Sequence, residues 1–259
     1  MVSTAADNPN LSNVSDFYRA LSSCSSFNAD IGSWDMSNVT NIYQMFLSCT
    51  IFNQDISSWN VSSVNTMAYL FYSARNFNQP IGNWDISNVT DLNNVFFLAT
   101  SFNQPLNNWN VSNVTNMQNM FFDAAIFNQP LDTWDVSNVT NMSSMFYRCY
   151  GFDQDISSWQ VTQVTNFTNF MLNVTLSTAN YDALLIAWDS QGAMSFSGTV
   201  NFGSSQYTLG GAAEAARTSL ISKWGGIVDG GGVLDATTNL IASYNFDTDF
   251  TDYTGNNDA

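Results

Sequence analysis

The residues that could carry chemistry in this chain are its cysteines and acids, because the sequence contains no histidine. Cys24, Cys49 and Cys149 fall in one column of positions spaced by 25 residues, and alanine fills positions 74, 99 and 124 of that column. A column filled by alanine or cysteine is typical of a tight apolar site. A nucleophilic cysteine or serine needs a base, and the usual one is missing. We therefore expect these cysteines to serve packing, with a Cys24–Cys49 disulfide as the alternative, and we expect no enzyme.

The acids are numerous but dispersed. The chain has 21 Asp and Glu residues against 5 Lys and Arg, which gives a net charge of -16. Paired carboxylates can hydrolyse glycosides, yet these acids recur in repeated columns instead of gathering at one place. Oxygen ligands suit calcium, but no spaced Asp-x-Asp-x-Asp loop is present, so we expect no cofactor and leave Ca²⁺ open. A field of this sign repels phosphate backbones, so we expect no nucleic-acid partner.

The most informative polar positions flank a repeated tryptophan. The position after each Trp alternates between a carboxylate and an amide, which would space like charges about 10 Å apart if strands stack there. One interpretation is a hydrogen-bond ladder between these side chains. The other is a ligand-binding strand face for a protein or glycan, which would also include the position before each Trp. The residues of this face are Ser33, Asp35, Ser58, Asn60, Asn83, Asp85, Asn108, Asn110, Thr133, Asp135, Ser158 and Gln160.

These positions belong to a repeat of 25 residues. Phe27, Phe52, Phe77, Phe102, Phe127 and Phe152 mark six copies over residues 27–176, and Trp34, Trp59, Trp84, Trp109, Trp134 and Trp159 follow in the same register. A partial copy over residues 11–26 precedes them. One such unit is too short to bury an apolar face alone, so stacked units must share a continuous core.

Two patterns lie within each unit. The apolar positions Val39, Ile42, Met45, Phe46 and Cys49 recur at helical spacing and predict a short amphipathic helical segment. The alternation around Trp34 and Met36 predicts a short strand. We therefore expect an α/β repeat, a leucine-rich-repeat-like solenoid of short parallel strands and short helical segments with an α+β C-terminal cap.

Asn-x-Ser/Thr sequons fall at the expected start of each helical segment. They include Asn38, Asn88, Asn113 and Asn138. A helix start favours side-chain oxygens that accept from backbone N–H groups. We therefore interpret these asparagines as helix caps and not as glycosylation sites.

Units such as residues 134–146, WDVSNVTNMSSMF, resemble the BspA-like leucine-rich-repeat surface proteins of bacteria and mycoplasmas. Similar repeats occur in some viral and protist proteins. The resemblance extends over residues 11–174. It implies surface exposure and adhesion or partner binding, and it carries no catalytic residue.

The remaining chain divides into three parts beyond a solenoid of residues 1–176. Residues 177–229 predict a capping region, with helices over 177–188 and 211–224 and a short strand at 227–228. Residues 230–236 predict a Gly-rich linker. Residues 237–259 resemble the start of a laminin-G or concanavalin-like lectin domain, with 240–247 as its first strand.

The function expected from the sequence is non-enzymatic recognition of a protein or glycan on a host or neighbouring surface. The N-terminus has no secretory signal, which favours the exterior of a virus particle over a bacterial cell surface. No apolar run reaches the length of a membrane span, so we expect no membrane insertion. The alternative is an architectural virion component, such as a capsid decoration, tail fibre or spacer protein.

Overall fold

A computed structural model of the chain describes residues 9–234. The repeat region winds into seven successive coils, and each coil stacks on the next with a shift of 25 residues. One parallel bridge per step joins the coils, in the order Asp16, Asn41, Thr66, Asp91, Asn116, Asn141 and Asn166. The chain is therefore a repeat solenoid.

The coils are held together along what we call the ladder segments. These are residues 16–25, 41–50, 66–75, 91–100, 116–125, 141–150 and 166–175. Alternate N–H groups of one segment donate to carbonyls of the next coil, as Phe17 does to Asn41 (2.8 Å) and Arg19 to Tyr43 (2.9 Å). The N–H groups between them close tight turns within the coil, as Ala20 does to Phe17 (3.0 Å). Most backbone donors of such a segment are thereby paired.

The predicted helical segments are wrong, because the ladder segments consist of turns. Two residues per coil take a left-handed conformation, for example Gln44 (φ 56°) and Ser48 (φ 57°), which interrupts any helix. Side chains alternate as two inward and two outward: Met45 and Phe46 are buried, while Leu47 and Ser48 are half-buried. This period of four residues is close to the period of about 3.6 residues of a helix, so the spacing of apolar positions alone predicts a helix.

The predicted strand at the Trp positions is also wrong. Residues 34–36 run between two turns, and the expected burial alternation holds there, yet the bridges lie on the opposite side of the coil. At the Trp positions the indole N–H bonds each coil to the coil before it. Trp59 Nε1 donates to the Ile31 carbonyl (3.0 Å) and Trp84 Nε1 to that of Ile56 (3.1 Å), and the three following tryptophans do the same.

The core consists of stacked columns of equivalent side chains. Trp59 and Trp84 lie parallel with ring centroids 6.3 Å apart, and Phe77 and Phe102 stack at 6.0 Å. Cys49 and Cys149 are buried in the small-residue column, as expected, and Cys24 is an exposed free thiol that forms no disulfide with Cys49. Burial raises the pKa of Cys49 to about 11, so its thiol stays protonated and inert.

The solenoid ends in a cap of two helices and four short strands. They are α1 (Thr178–Asp189), β1 (Gly198–Asn201), β2 (Tyr207–Thr208), α2 (Ala212–Trp224), β3 (Gly225–Val228) and β4 (Gly232–Val233). β1 pairs with β3 and β2 with β4, both in parallel. The N–H of Met171 donates to the Asn201 carbonyl (2.9 Å), so the ladder continues from the last coil into β1.

Both cap helices lie where the sequence predicts them. Ser177 caps α1, and Gly225 follows the last residue of α2 as its C-cap, with a φ of 114° that favours glycine. Trp188 and Trp224 are buried against Phe167 and cover the open end of the core.

The segment beyond β3 differs from the sequence prediction. Part of the expected Gly-rich linker, 230–236, is ordered as β4, and the N–H of Gly230 donates to the Ser205 carbonyl (2.8 Å). The lectin-like resemblance at 237–259 lies outside the described residues. No helix within residues 9–234 is long and apolar enough to cross a membrane.

Candidate binding face

The positions before and after each tryptophan lie on the surface. Because each Trp side chain points inward between two turns, its two neighbours must point outward. The structure leaves every member of the predicted face exposed, namely Ser33, Asp35, Ser58, Asn60, Asn83, Asp85, Asn108, Asn110, Thr133, Asp135, Ser158 and Gln160. They form two parallel columns on a side that we call the Trp face, which comprises residues 28–40, 53–65, 78–90, 103–115, 128–140 and 153–165.

The column after Trp bonds within each coil. Asp85 Oδ1 accepts from the N–H of Ser87 (3.0 Å), and Asn110 Oδ1 accepts from the N–H of Ser112 (3.1 Å). The same turn recurs at Asp35, Asn60 and Asp135. The hydrogen-bond ladder predicted between these side chains is therefore wrong for the five Asp and Asn members: each of these side chains fixes its own turn, in the manner expected of Asp and Asn.

The column before Trp does bond between coils. Ser58 Oγ donates to the Gly32 carbonyl and Ser158 Oγ to the Asp132 carbonyl, each at 2.8 Å. These hydroxyls are thus held in fixed orientations on the exposed side. A face with preset side chains loses less conformational entropy when it binds a partner.

Three carboxylates in the column after Trp have a lowered pKa. Hydrogen bonds from Ser37, first from its hydroxyl and then from its N–H, lower the pKa of Asp35. The equivalent serines lower the pKa of Asp85 and Asp135 in the same way. The negative charge of this column therefore persists below the pH at which free aspartate protonates.

Charge is divided unequally between the two sides of the solenoid. The six segments of the Trp face contain no Lys or Arg, and their acids are Asp30, Asp35, Asp55, Asp85, Asp132, Asp135, Asp153 and Asp155. The three cations of the repeats, Arg19, Arg75 and Arg148, all lie in ladder segments. The Trp face is thus a purely anionic polar surface.

Two sets of asparagines that serve assembly were not recognised as such from the sequence. The Asn that follows Phe in five of the six units links adjacent coils: Asn78 Oδ1 accepts from the N–H of Asn103 (3.0 Å) and from Gln104 Nε2 (3.1 Å). Asn88 Nδ2 donates to the Ser62 carbonyl of the preceding coil (2.8 Å), as do the equivalent atoms of Asn38, Asn113 and Asn138. The predicted helix-capping role of these four is wrong. The Asn that recurs in five of the six units of this column, with Asp153 in the last, was the available signal.

Within residues 9–234 no group of three or more metal-ligating side chains comes together. The acids of the Trp face are spread along the solenoid, with at most two in each of its six segments and none in 103–115. The arrangement therefore offers an extended contact surface.

Comparison with known proteins gives one result at the level of families. Residues 2–96 and 79–184 match the model of a family described as "Mycoplasma protein of unknown function, DUF285". This match agrees with the resemblance to BspA-like surface repeats. No curated protein and no solved structure matches the chain.

Proposed function

Because the chain belongs to the DUF285 family, whose description states no activity, we propose a function from its own surface. The protein is a non-enzymatic recognition module of BspA-like, leucine-rich-repeat-like type. Its Trp face binds a protein or glycan on a host or neighbouring surface. It works outside the cell, on a virus particle or on a bacterial surface.

The observation that carries this proposal is the combination of exposure and charge on the Trp face. All twelve outward side chains flanking the tryptophans are exposed, and no Lys or Arg interrupts their field. A surface of one sign attracts partners of the opposite sign and raises their association rate. The fitting partner is a basic protein segment or a glycan whose hydroxyls pair with Asp, Asn and Ser.

The proposal is tested by binding of the full chain to a glycan array and to a panel of Lys/Arg-rich peptides. We expect wild-type binding that weakens with salt, and a loss of at least tenfold when Asp85→Lys is combined with Asp135→Lys. The matched control combines Asp16→Lys with Glu214→Lys, which changes net charge equally but lies off the Trp face. Equal losses of binding in both double variants would mean that net charge, and not the Trp face, determines binding. No binding by the wild type, or unchanged binding by the Trp-face variant, would refute the proposal.

The second candidate function is architectural, as a capsid decoration, tail fibre or spacer. Its support is the evenness of the columns, which run through the repeats without insertion. An architectural protein would occur at one fixed copy number in purified particles, measured by quantitative mass spectrometry. The free chain would then bind neither glycans nor basic peptides.

A further inference from the structure

The outer side of the ladder segments carries a continuous apolar ribbon. One residue per coil contributes to it, and the six members are half-buried: Leu47, Tyr72, Phe97, Phe122, Tyr147 and Leu172. The four rings between the leucines stack in a single column with centroids 4.4 Å apart at each step. Nothing in the core requires aromatic residues at these outward positions, since the equivalent position of the first coil is Ser22.

The order of residues along the ribbon is the same in both directions. It reads Leu, Tyr, Phe, Phe, Tyr, Leu, with its centre between Phe97 and Phe122. A two-fold interface uses one patch on both copies and must be complementary to itself, which a palindromic column satisfies. A two-fold axis across the solenoid would place Phe97 against Phe122, Tyr72 against Tyr147 and Leu47 against Leu172 of a second copy.

Two pairs from other columns fit the same axis. It would place the half-buried amide of Asn93 against Gln118 of the second copy. It would also place Arg75 beside Tyr150, whose residue is 54% exposed and whose ring already has the Arg148 guanidinium of its own chain 5.9 Å from its centroid.

Charge favours self-association through the ladder side. The ladder segments contain three acids, Asp16, Asp91 and Asp123, against the three arginines, Arg19, Arg75 and Arg148, so their formal charges cancel. Two copies that meet there avoid the repulsion that a net charge of -16 would otherwise impose at contact. Their anionic Trp faces then point away from each other.

The available area is sufficient for a stable contact. Six coils at about 4.8 Å span about 29 Å, and a ladder segment is roughly 20 Å wide. Two copies would bury about 1,200 Å² in total, at the lower end of specific interfaces and above typical crystal contacts.

We propose that the ladder side is the interface of an antiparallel homodimer, centred between Phe97 and Phe122. The dimer presents two Trp faces on opposite sides, whether or not these faces bind the partner proposed above. Two linked copies of one binding face gain avidity without any new contact.

The first test measures the mass of the full chain by light scattering after gel filtration, from about 1 to 100 µM. We expect a dimer at the upper concentrations, and a monomer for Phe97→Lys combined with Phe122→Lys, with circular dichroism to confirm folding. The matched control is Asn83→Lys with Asn108→Lys, which adds the same charge to the exposed Trp face and should stay dimeric. A wild-type chain that is monomeric at 100 µM overturns the proposal. The ribbon would then be covered by a different protein and not by a second copy.

The second test fixes the register and does not depend on disruptive substitutions. In a Cys24→Ser background, Tyr72→Cys chains mixed with Tyr147→Cys chains should form a disulfide between copies under mild oxidation. Neither variant alone should do so. Cross-linking of Tyr72→Cys with itself would show a different packing of the two copies and overturn the antiparallel register.

Discussion

The indole Nε1 of Trp84 donates a hydrogen bond of 3.1 Å to the carbonyl oxygen of Ile56, 28 residues earlier in the chain. Both groups are buried, and the bond spans two coils at the side where backbone bridges are absent. Only tryptophan combines a large apolar ring with an N–H donor that can reach this carbonyl. The repeat therefore uses Trp for bonding as well as for packing.

Trp84→Phe should lower the free energy of unfolding by about 2–4 kcal/mol, because it leaves the Ile56 carbonyl unpaired and removes buried volume. The measurement is urea unfolding followed by circular dichroism. Phe77→Leu in the same coil is the control, since it changes a buried ring without removing a hydrogen bond and should cost less than about 1.5 kcal/mol. Equal costs for the two variants would mean that the indole bond contributes nothing.

Asn78→Ala should cost about 1–2 kcal/mol, because two donors of the next coil, the N–H of Asn103 and Gln104 Nε2, lose their acceptor. Asn78→Asp keeps an acceptor oxygen and should recover most of the loss, as Asp153 does at the same position of its coil. Asn83→Ala on the exposed Trp face should change stability by less than about 0.5 kcal/mol. Urea unfolding measures the free energy of unfolding of all three variants. An equal loss for Asn83→Ala and Asn78→Ala would contradict the inter-coil role of Asn78.

Asp91→Asn should stabilise the protein at neutral pH. Burial raises the pKa of Asp91 above its usual value, so ionisation at pH 7 opposes folding. The column already accepts asparagine at Asn41, Asn116, Asn141 and Asn166. We expect a rise in Tm of about 1–3 °C at pH 7.

The pH dependence gives the sign of this effect. Because the pKa of Asp91 is higher in the folded than in the unfolded state, the protein loses stability as the pH rises from the unfolded-state pKa through the folded-state pKa. Below the unfolded-state pKa, Asp91 is protonated in both states and no stability is lost. The Tm difference between Asp91→Asn and wild type should therefore vanish near pH 3. A difference that is the same at pH 3 and pH 7 would show that charge is not its cause.

The two ion pairs of the cap should differ sharply in their contribution. Asp229 accepts from Arg217 Nε at 2.7 Å and from the Tyr181 hydroxyl at 2.8 Å, and its side chain is only 2% exposed. Asp229→Ala leaves the guanidinium without its partner and should cost about 3–5 kcal/mol. Asp189→Ala, which breaks the more exposed pair with Lys223, should cost less than about 1 kcal/mol. Similar losses, measured by thermal unfolding, would contradict the burial argument.

The sequence predicts the burial of the repeat better than its backbone. The inward positions Ile42, Met45, Phe46 and Cys49 are all buried as expected, because apolar periodicity reports which way a side chain faces. It does not report where the backbone bonds go. Tyr69 (φ 59°) and Leu98 (φ 56°) are left-handed although neither is Gly or Asn, so no residue type signalled these turns.

The candidate face is predicted in position but not in bonding. Exposure of residues such as Asp85 and Asn108 follows from the inward Trp between two outward neighbours. The turn that Asp85 makes with Ser87 depends on local backbone geometry that periodicity cannot supply. The bonds from Asn78 to the next coil require the coil stacking to be known first.

The ladder also decides how the molecule responds to mechanical tension. Each coil is joined to the next by the same short set of backbone bonds, so no step of the array is a special weak point. A pull on the two ends should peel coils away one at a time, with each freed coil of 25 residues lengthening the chain by about 80 Å. A protein that tethers one surface to another would thereby absorb a sudden load in equal increments, with no single abrupt rupture.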